Sequence, residues 1–137
     1  MTIRLNPYLS FDGDAREAME FYRTVFGGEL TLSTFGELGA SDAPGADKIM
    51  HGQLEGGEGL VLMGADTPPG EERRPGNDVA LSLSGDDADA LRRLWQQLSD
   101  GGTVSVPLER QMWGDEFGMC TDRFGVSWMV NIAGSAA

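Results

Sequence analysis

Apolar and polar positions alternate with a period of two from Ile3 to Phe11, with Leu5, Leu9 and Phe11 on one side and Asn6, Tyr8 and Ser10 on the other. That pattern predicts a strand with one buried face. Directly behind it the period changes: Ala15, Ala18, Met19, Tyr22, Val25 and Phe26 recur at helical spacing until Gly27-Gly28. Asp14, with Glu17 three residues on, reads as a capping-box start, so a helix is predicted between the aspartate and the glycines. Three β-like runs follow at 29–35, 48–55 and 59–63, separated by the Gly/Asp/Pro-rich loop 36–47 and the Gly56-Gly57 turn. Loop 36–47 is long for a hairpin connection and is a candidate lid.

From Gly64 to Asp78 the chain turns to Pro, Gly and charge without apolar periodicity, as a linker does. The first pattern then returns. Val79–Leu83 alternates as a strand, 87–99 reads as a helix with Leu91, Leu94, Trp95 and Leu98 on one face, and Gly101-Gly102 closes it. Further β-like runs fall at 103–108, 117–121 and 128–132. Leu9-Ser10-Phe11 aligns with Leu81-Ser82-Leu83 and the two glycine pairs align, with the second helix about two residues longer.

The chain therefore reads as one compact α+β domain of two tandem βαβββ modules, 1–65 and 78–137, with a linker at 66–77. Each module exposes an apolar sheet face it cannot cover alone, so a curved mixed sheet with a central cavity is expected. By alternation, Leu9, Phe11, Leu81 and Leu83 pack under the helices, and Asn6, Tyr8, Ser10, Asp78, Ala80 and Ser82 face the cavity.

Charge narrows the function classes. Against 10 Lys and Arg stand 22 Asp and Glu, a net charge of −12 that repels phosphate backbones and anionic lipid surfaces. Nucleic-acid and membrane partners are thereby disfavoured. The N-terminus lacks the basic and apolar regions of a secretion signal, so a cytoplasmic protein is expected. Cys120 is the only cysteine and His51 the only histidine, which excludes an intrachain disulfide and Cys/His zinc sites. No glycine-rich turn joins a strand to a helix as a Rossmann-like cofactor site requires; the glycine pairs close helices or turns instead.

The strings NPYLSFDGDAREAMEFYRTVFGG at 6–28 and WGDEFGMCTDRFGVSW at 113–128 resemble the PhnB-like branch of the vicinal-oxygen-chelate superfamily, the glyoxalase, bleomycin-resistance and extradiol-dioxygenase fold. The resemblance implies paired βαβββ modules, a half-barrel cavity in each, and a homodimer. In the metal-dependent members it also implies His, Glu or Gln ligands from the first and last strands of each module, which hold a divalent ion that chelates the substrate. Here those positions fall on Asn6 or Pro7, Leu62 or Met63, Asp78 and Met129. Only Asp78 is a good donor to a hard cation, so no cofactor is expected and the usual metal site is expected to be lost, a divalent metal remaining the alternative.

The candidate catalytic residues are His51, a general base, a ligand or simply a structural histidine, and Asp78, a cavity carboxylate or a turn residue. Asn6, Tyr8, Gln53, Met63, Ser82, Trp113 and Met129 are the candidate pocket-lining residues. Trp113, beside glycine and acidic residues, suits a pocket better than Phe117 and Trp128, which a small core needs, and Cys120 reads as a buried inert thiol. Three functions remain open. One is a protein that binds a small organic molecule without a metal. Another is a metal-dependent glyoxalase-type lyase, isomerase or dioxygenase using His51, Gln53 and Asp78. The last is a drug-sequestering protein, whose acidic surface would suit a cation.

Overall fold

The computed structural model describes residues 3–40, 44–57, 59–68 and 70–134. Two compact units divide the chain, Met1–Pro75 and Gly76–Ala137. The first contains β1 (Tyr8–Phe11), α1 (Ala15–Phe26), β2 (Glu29–Thr34), β3 (Ile49–Glu55) and β4 (Val61–Asp66). The second repeats the plan with β5 (Leu81–Gly85), α2 (Ala88–Ser99), β6 (Thr103–Arg110), β7 (Glu116–Thr121) and β8 (Ser127–Ile132). Each forms a four-stranded mixed sheet, ordered β1-β4-β3-β2 and β5-β8-β7-β6. In each the first strand runs parallel to the last and the other neighbours are antiparallel. The architecture is the predicted α+β tandem of βαβββ modules.

Several boundaries differ from the sequence pattern for physical reasons. β1 starts at Tyr8 rather than Ile3, with Met63 N–H donating to the Pro7 carbonyl at 3.1 Å while Pro7 has no N–H to return. Ile3 and Leu5 are each 99% exposed, so the early alternation buries no face and Asn6 lies ahead of the strand. Similarly β5 begins at Leu81, opposite Trp128; its partner β8 begins at Ser127, so the register carries Val79 and Asp78 past the start of β8, and Asp78 lies in an exposed bend before the sheet.

The two helices are equal, 12 residues each, and the modules align two residues further along than the sequence match indicated. Tyr8 lies opposite Met63 as Ser82 lies opposite Met129, and Phe11 accepts from Thr67 N–H as Gly85 accepts from Ala133 N–H. A slip of two leaves those side chains that lie in the strands on their predicted faces, because the strand period is two. The faces therefore stand: Phe11 is fully buried under α1, while Tyr8, Ser10 and Ser82 lie on the helix-free faces.

Helix α1 buries Ala15, Ala18, Met19, Tyr22 and Val25, and α2 buries Leu91, Trp95 and Leu98. Their starts are held differently. Asp87 caps α2 by accepting from Ala90 N–H at 3.2 Å. Asp14 makes no side-chain cap; the buried Asp66, at the end of β4, accepts instead from Gly13 N–H (2.8 Å), Ala15 N–H (3.0 Å) and Ile49 N–H (2.9 Å). Asp66 thus belongs to the sheet rather than to a linker. The chain just after it is also attached to β1: Thr67 Oγ1 donates to the Phe11 carbonyl and Arg73 Nε to that of Ser10. At the helix exits, a Cβ on Gly28 would lie 2.1 Å from the Glu55 carbonyl oxygen, and one on Gly102 2.1 Å from that of Thr121. The glycine pairs recur because only a bare backbone lets the chain turn that close to the neighbouring strand.

Loop 36–47 starts as an irregular helical turn, Gly36–Ala40, and is closed at its base by Phe35 N–H to Lys48 O (3.0 Å) and Gly36 N–H to Ala46 O (2.8 Å). Residues 41–43 of the candidate lid lie outside the described residues. Among the described residues no helix is long and apolar enough to cross a membrane.

Candidate functional site

The helix-free face of the first sheet gathers polar side chains from three strands. Alternation puts His51, Gln53 and Glu55 of β3 on that face. The antiparallel register sets Thr31 opposite Gln53 and Glu29 opposite Glu55, and Met63 of β4 lies on the other flank of Gln53, with Tyr8 of β1 beyond it. The predicted residues Tyr8, His51, Gln53 and Met63 therefore share one face.

Hydrogen bonds join three of them into a file. Tyr8 Oη is 3.1 Å from His51 Nδ1, with ring centroids 5.7 Å apart. His51 Nε2 is 3.4 Å from Gln53 Oε1, a long contact, and Gln53 Nε2 donates to Glu55 Oε1 at 2.8 Å. Partial burial raises the Tyr8 hydroxyl above the ordinary tyrosine value, so the phenol keeps its proton at neutral pH. Beside this file lies a hollow of about 210 Å³ lined by Glu29, Thr31, His51, Gln53 and Glu55. A larger depression of about 460 Å³, lined by Glu20, Arg23, Thr24, Leu30 and Leu32, holds none of the predicted residues and no histidine, so chemistry favours the smaller hollow.

Glu29, Thr31 and Glu55 escape the sequence pattern. Glu55 carries a readable signal, since it follows His51 and Gln53 at a spacing of two on the same strand. Glu29 and Thr31 are placed by the β2–β3 register, which shifts between Ser33 and Thr34 and spans the long loop, so nothing local announces it.

The second sheet presents different chemistry on its corresponding face. Ser82, Met129, Met119 and Val106 form one row across the strands, and Asn131, Phe117 and Glu109 another. Trp113 is 63% exposed on the loop between β6 and β7, its ring 6.2 Å from that of Phe117. Asp115 in the same loop accepts from Asn131 Nδ2 at 3.0 Å and Gly134 N–H at 2.8 Å, and these donors hold its carboxyl below the usual carboxylate range. Ser82, Trp113 and Met129 thus stand on or beside this face, whereas Asp78 and Asn6 are on neither sheet.

The conspicuous TDRFGVSW string has a structural role. Buried Asp122 accepts from Phe124 N–H (2.8 Å), Val126 N–H (3.1 Å) and the Trp128 indole N–H (2.8 Å), fixing the β7–β8 turn to the core. Cys120 is buried as predicted, and burial, with Asp122 adding a little, pushes its thiol up to about 11.

A divalent ion of the kind the resemblance implies does not fit these donors. The register puts Tyr8 rather than Asn6 or Pro7 opposite Met63, and Ser82 rather than Asp78 opposite Met129. A phenol, a hydroxyl and two thioethers are poor partners for a hard cation. Among the described residues no three His, Cys, Asp or Glu side chains gather as a metal site would need.

Comparison with known proteins agrees with this architecture. The family model for the Glyoxalase/Bleomycin resistance protein/Dioxygenase superfamily matches residues 4–130. The chain is 28% identical to Protein YjdN of Escherichia coli, over 93% of this chain and 94% of that one. The crystal structure of protein PA1353 from Pseudomonas aeruginosa is similar at 39% identity with a TM-score of 0.84, covering 96% of this chain and 98% of that one. A PhnB protein from Bacillus cereus shares the fold at 22% identity and a TM-score of 0.77, over 96% and 100% of the two chains. With its tandem βαβββ modules, this chain belongs to the glyoxalase, bleomycin-resistance and dioxygenase superfamily.

Proposed function

We propose that the chain binds a small organic molecule on the helix-free face of its first module, in the hollow between β2 and β3, without the superfamily's usual metal. The observation that carries this reading is the file Tyr8–His51–Gln53–Glu55 bordering a hollow of about 210 Å³. That volume is below the roughly 300–1,000 Å³ of drug-sized pockets, so the occupant is smaller than a typical drug. Glu29 and Glu55 lie directly opposite each other on neighbouring strands, an arrangement that costs stability unless a positive group comes between them. The net charge of −12 also concentrates cations near the surface. A small amine or other cationic, donor-rich molecule is the favoured ligand class.

A thermal-shift screen of small amines and alcohols, in the presence of a chelator, tests this. A ligand bound only by the folded state raises Tm by mass action. The expected outcome is a set of stabilising amines whose effect is lost in Glu29→Gln and weakened in Thr31→Val. An identical set of hits in wild type and Glu29→Gln would overturn the reading.

A further inference from the structure

The polar file has a direction, and its far end sets it. A carboxylate can only accept, so Glu55 Oε1, 2.8 Å from Gln53 Nε2, turns the Gln53 amide nitrogen towards itself. Gln53 Oε1 is then left facing His51, and a carbonyl oxygen also only accepts. His51 Nε2 must carry the hydrogen. A neutral imidazole has one N–H, so Nδ1 presents its lone pair, and Tyr8 Oη, 3.1 Å away, donates to it. From Tyr8 onward each group donates to the next, and the negative end is the carboxylate.

From this we infer that Tyr8 and His51 are an acid–base pair, which Gln53 and Glu55 orient for proton uptake at the first module's face. The inference rests on the proposed ligand site and extends it from binding to proton transfer. A ligand O–H or N–H, or a C–H made acidic by a neighbouring group, gives its proton to Tyr8 Oη while Tyr8 passes its own to His51 Nδ1. The electron pair stays on the ligand. The imidazolium so formed has two N–H groups, one donating back to Tyr8 Oη and one to Gln53 Oε1, and Glu55 lies beyond with the opposite charge. Returning the proton to the same ligand atom is exchange, and returning it to another is isomerisation; neither needs an oxidant or a metal. Tyr8 is 51% exposed, and its bond to His51 lies at the exposed surface. Glu29 and Glu55 beside the hollow oppose an anionic substrate, which makes the fitting substrate a small cation or a neutral donor. Gln53 and Glu55 are positioning residues.

His51 is the only histidine, so its ring nitrogens can be read without ambiguity by long-range ¹H–¹⁵N NMR of the full chain. The expected spectrum at a pH where the ring is neutral shows Nε2 protonated and Nδ1 unprotonated. In Glu55→Gln, an isosteric change at an exposed position, the amide of residue 55 can donate as well as accept, Gln53 is free to turn over, and the Nδ1–H form appears beside the other. Tyr8→Phe should shift the Nδ1 resonance by removing its donor. Nδ1–H as the main form in wild type, or a tautomer unchanged in Glu55→Gln, would overturn the acid–base assignment; backbone spectra check that both variants are folded. The two readings fail separately: amines that still bind at Glu29 would leave the binding proposal standing, and an intact tautomer without any amine binding would remove that proposal alone.

Discussion

The two modules share strand order, helix length and glycine-closed helix exits, yet their helix-free faces carry different chemistry. The first shows a phenol, an imidazole, an amide and two glutamates beside Met63, whereas the second sets Met119, Met129, Phe117 and, at its rim, Trp113 among Ser82, Asn131 and Glu109. Their cores diverge as well. In the first, fully buried Met19 packs against the bare backbones of Gly52 and Gly64, which are paired on neighbouring strands. In the second, Val130 takes the place opposite Gly118, and Trp95 and Trp128 fill the space. A duplicated scaffold fixes only what its closure needs, namely the alternation under the helix and the glycine exits. The other face is free to specialise, which is why the chemistry sits in one half.

The comparison can be broken most forcefully at the helix starts. Asp66→Ala leaves three N–H donors unmatched, two of them buried and one part-buried, and at about 1–3 kcal/mol for each such group, partly rehydrated, we expect a loss of about 4 kcal/mol by urea unfolding. Asp87→Ala removes a local exposed cap and should cost only about 1 kcal/mol. Equal losses would show that the two starts are held alike.

The glycine exits sharpen the same contrast. Gly28→Ala and Gly102→Ala meet the same backbone obstruction, 2.1 Å from a carbonyl oxygen, but only Gly28 also sits at φ +96°. Both should destabilise, by about 1–3 kcal/mol from overpacking, with Gly28→Ala worse by about 1–2 kcal/mol for the left-handed backbone. Smaller still is Arg92→Ala in α2. Arg92 bonds Glu116 where its counterpart Met19 is buried, so its loss should shift urea unfolding least of these, and the effect should fade in salt. A distinct outcome is expected for Cys120. With its thiol raised to about 11, the thiolate is scarce at pH 8, and a thiol reagent should modify it readily only after unfolding.

Much of this fold was legible because its signals are local. Alternation, helical period and Gly-Gly stops lie within a few residues of what they specify, and even the misaligned repeat kept the faces of the residues that lie in the strands, because it slipped by two. The failures are long-range. Asp14 looked like the cap of α1, whereas the group that binds its amides, Asp66, arrives from 51 residues away in what read as linker. Asp78 looked like a strand residue because nothing near it reveals that β8 starts too late to pair there. At the site, His51 and Gln53 stood out by spacing, but the bond from Tyr8 spans 43 residues and depends on a parallel β1–β4 pairing that no local pattern encodes.

Which of the two faces takes a ligand is the central question. Adding the strongest amine from the thermal-shift screen to ¹⁵N-labelled protein and following backbone and side-chain resonances answers that directly. The predicted result is perturbation concentrated at Glu29, Thr31, His51, Gln53 and Glu55, with the second sheet unchanged. Perturbation centred instead on Phe117, Met119 and Met129 would contradict it and move the site to the helix-free face of the second module.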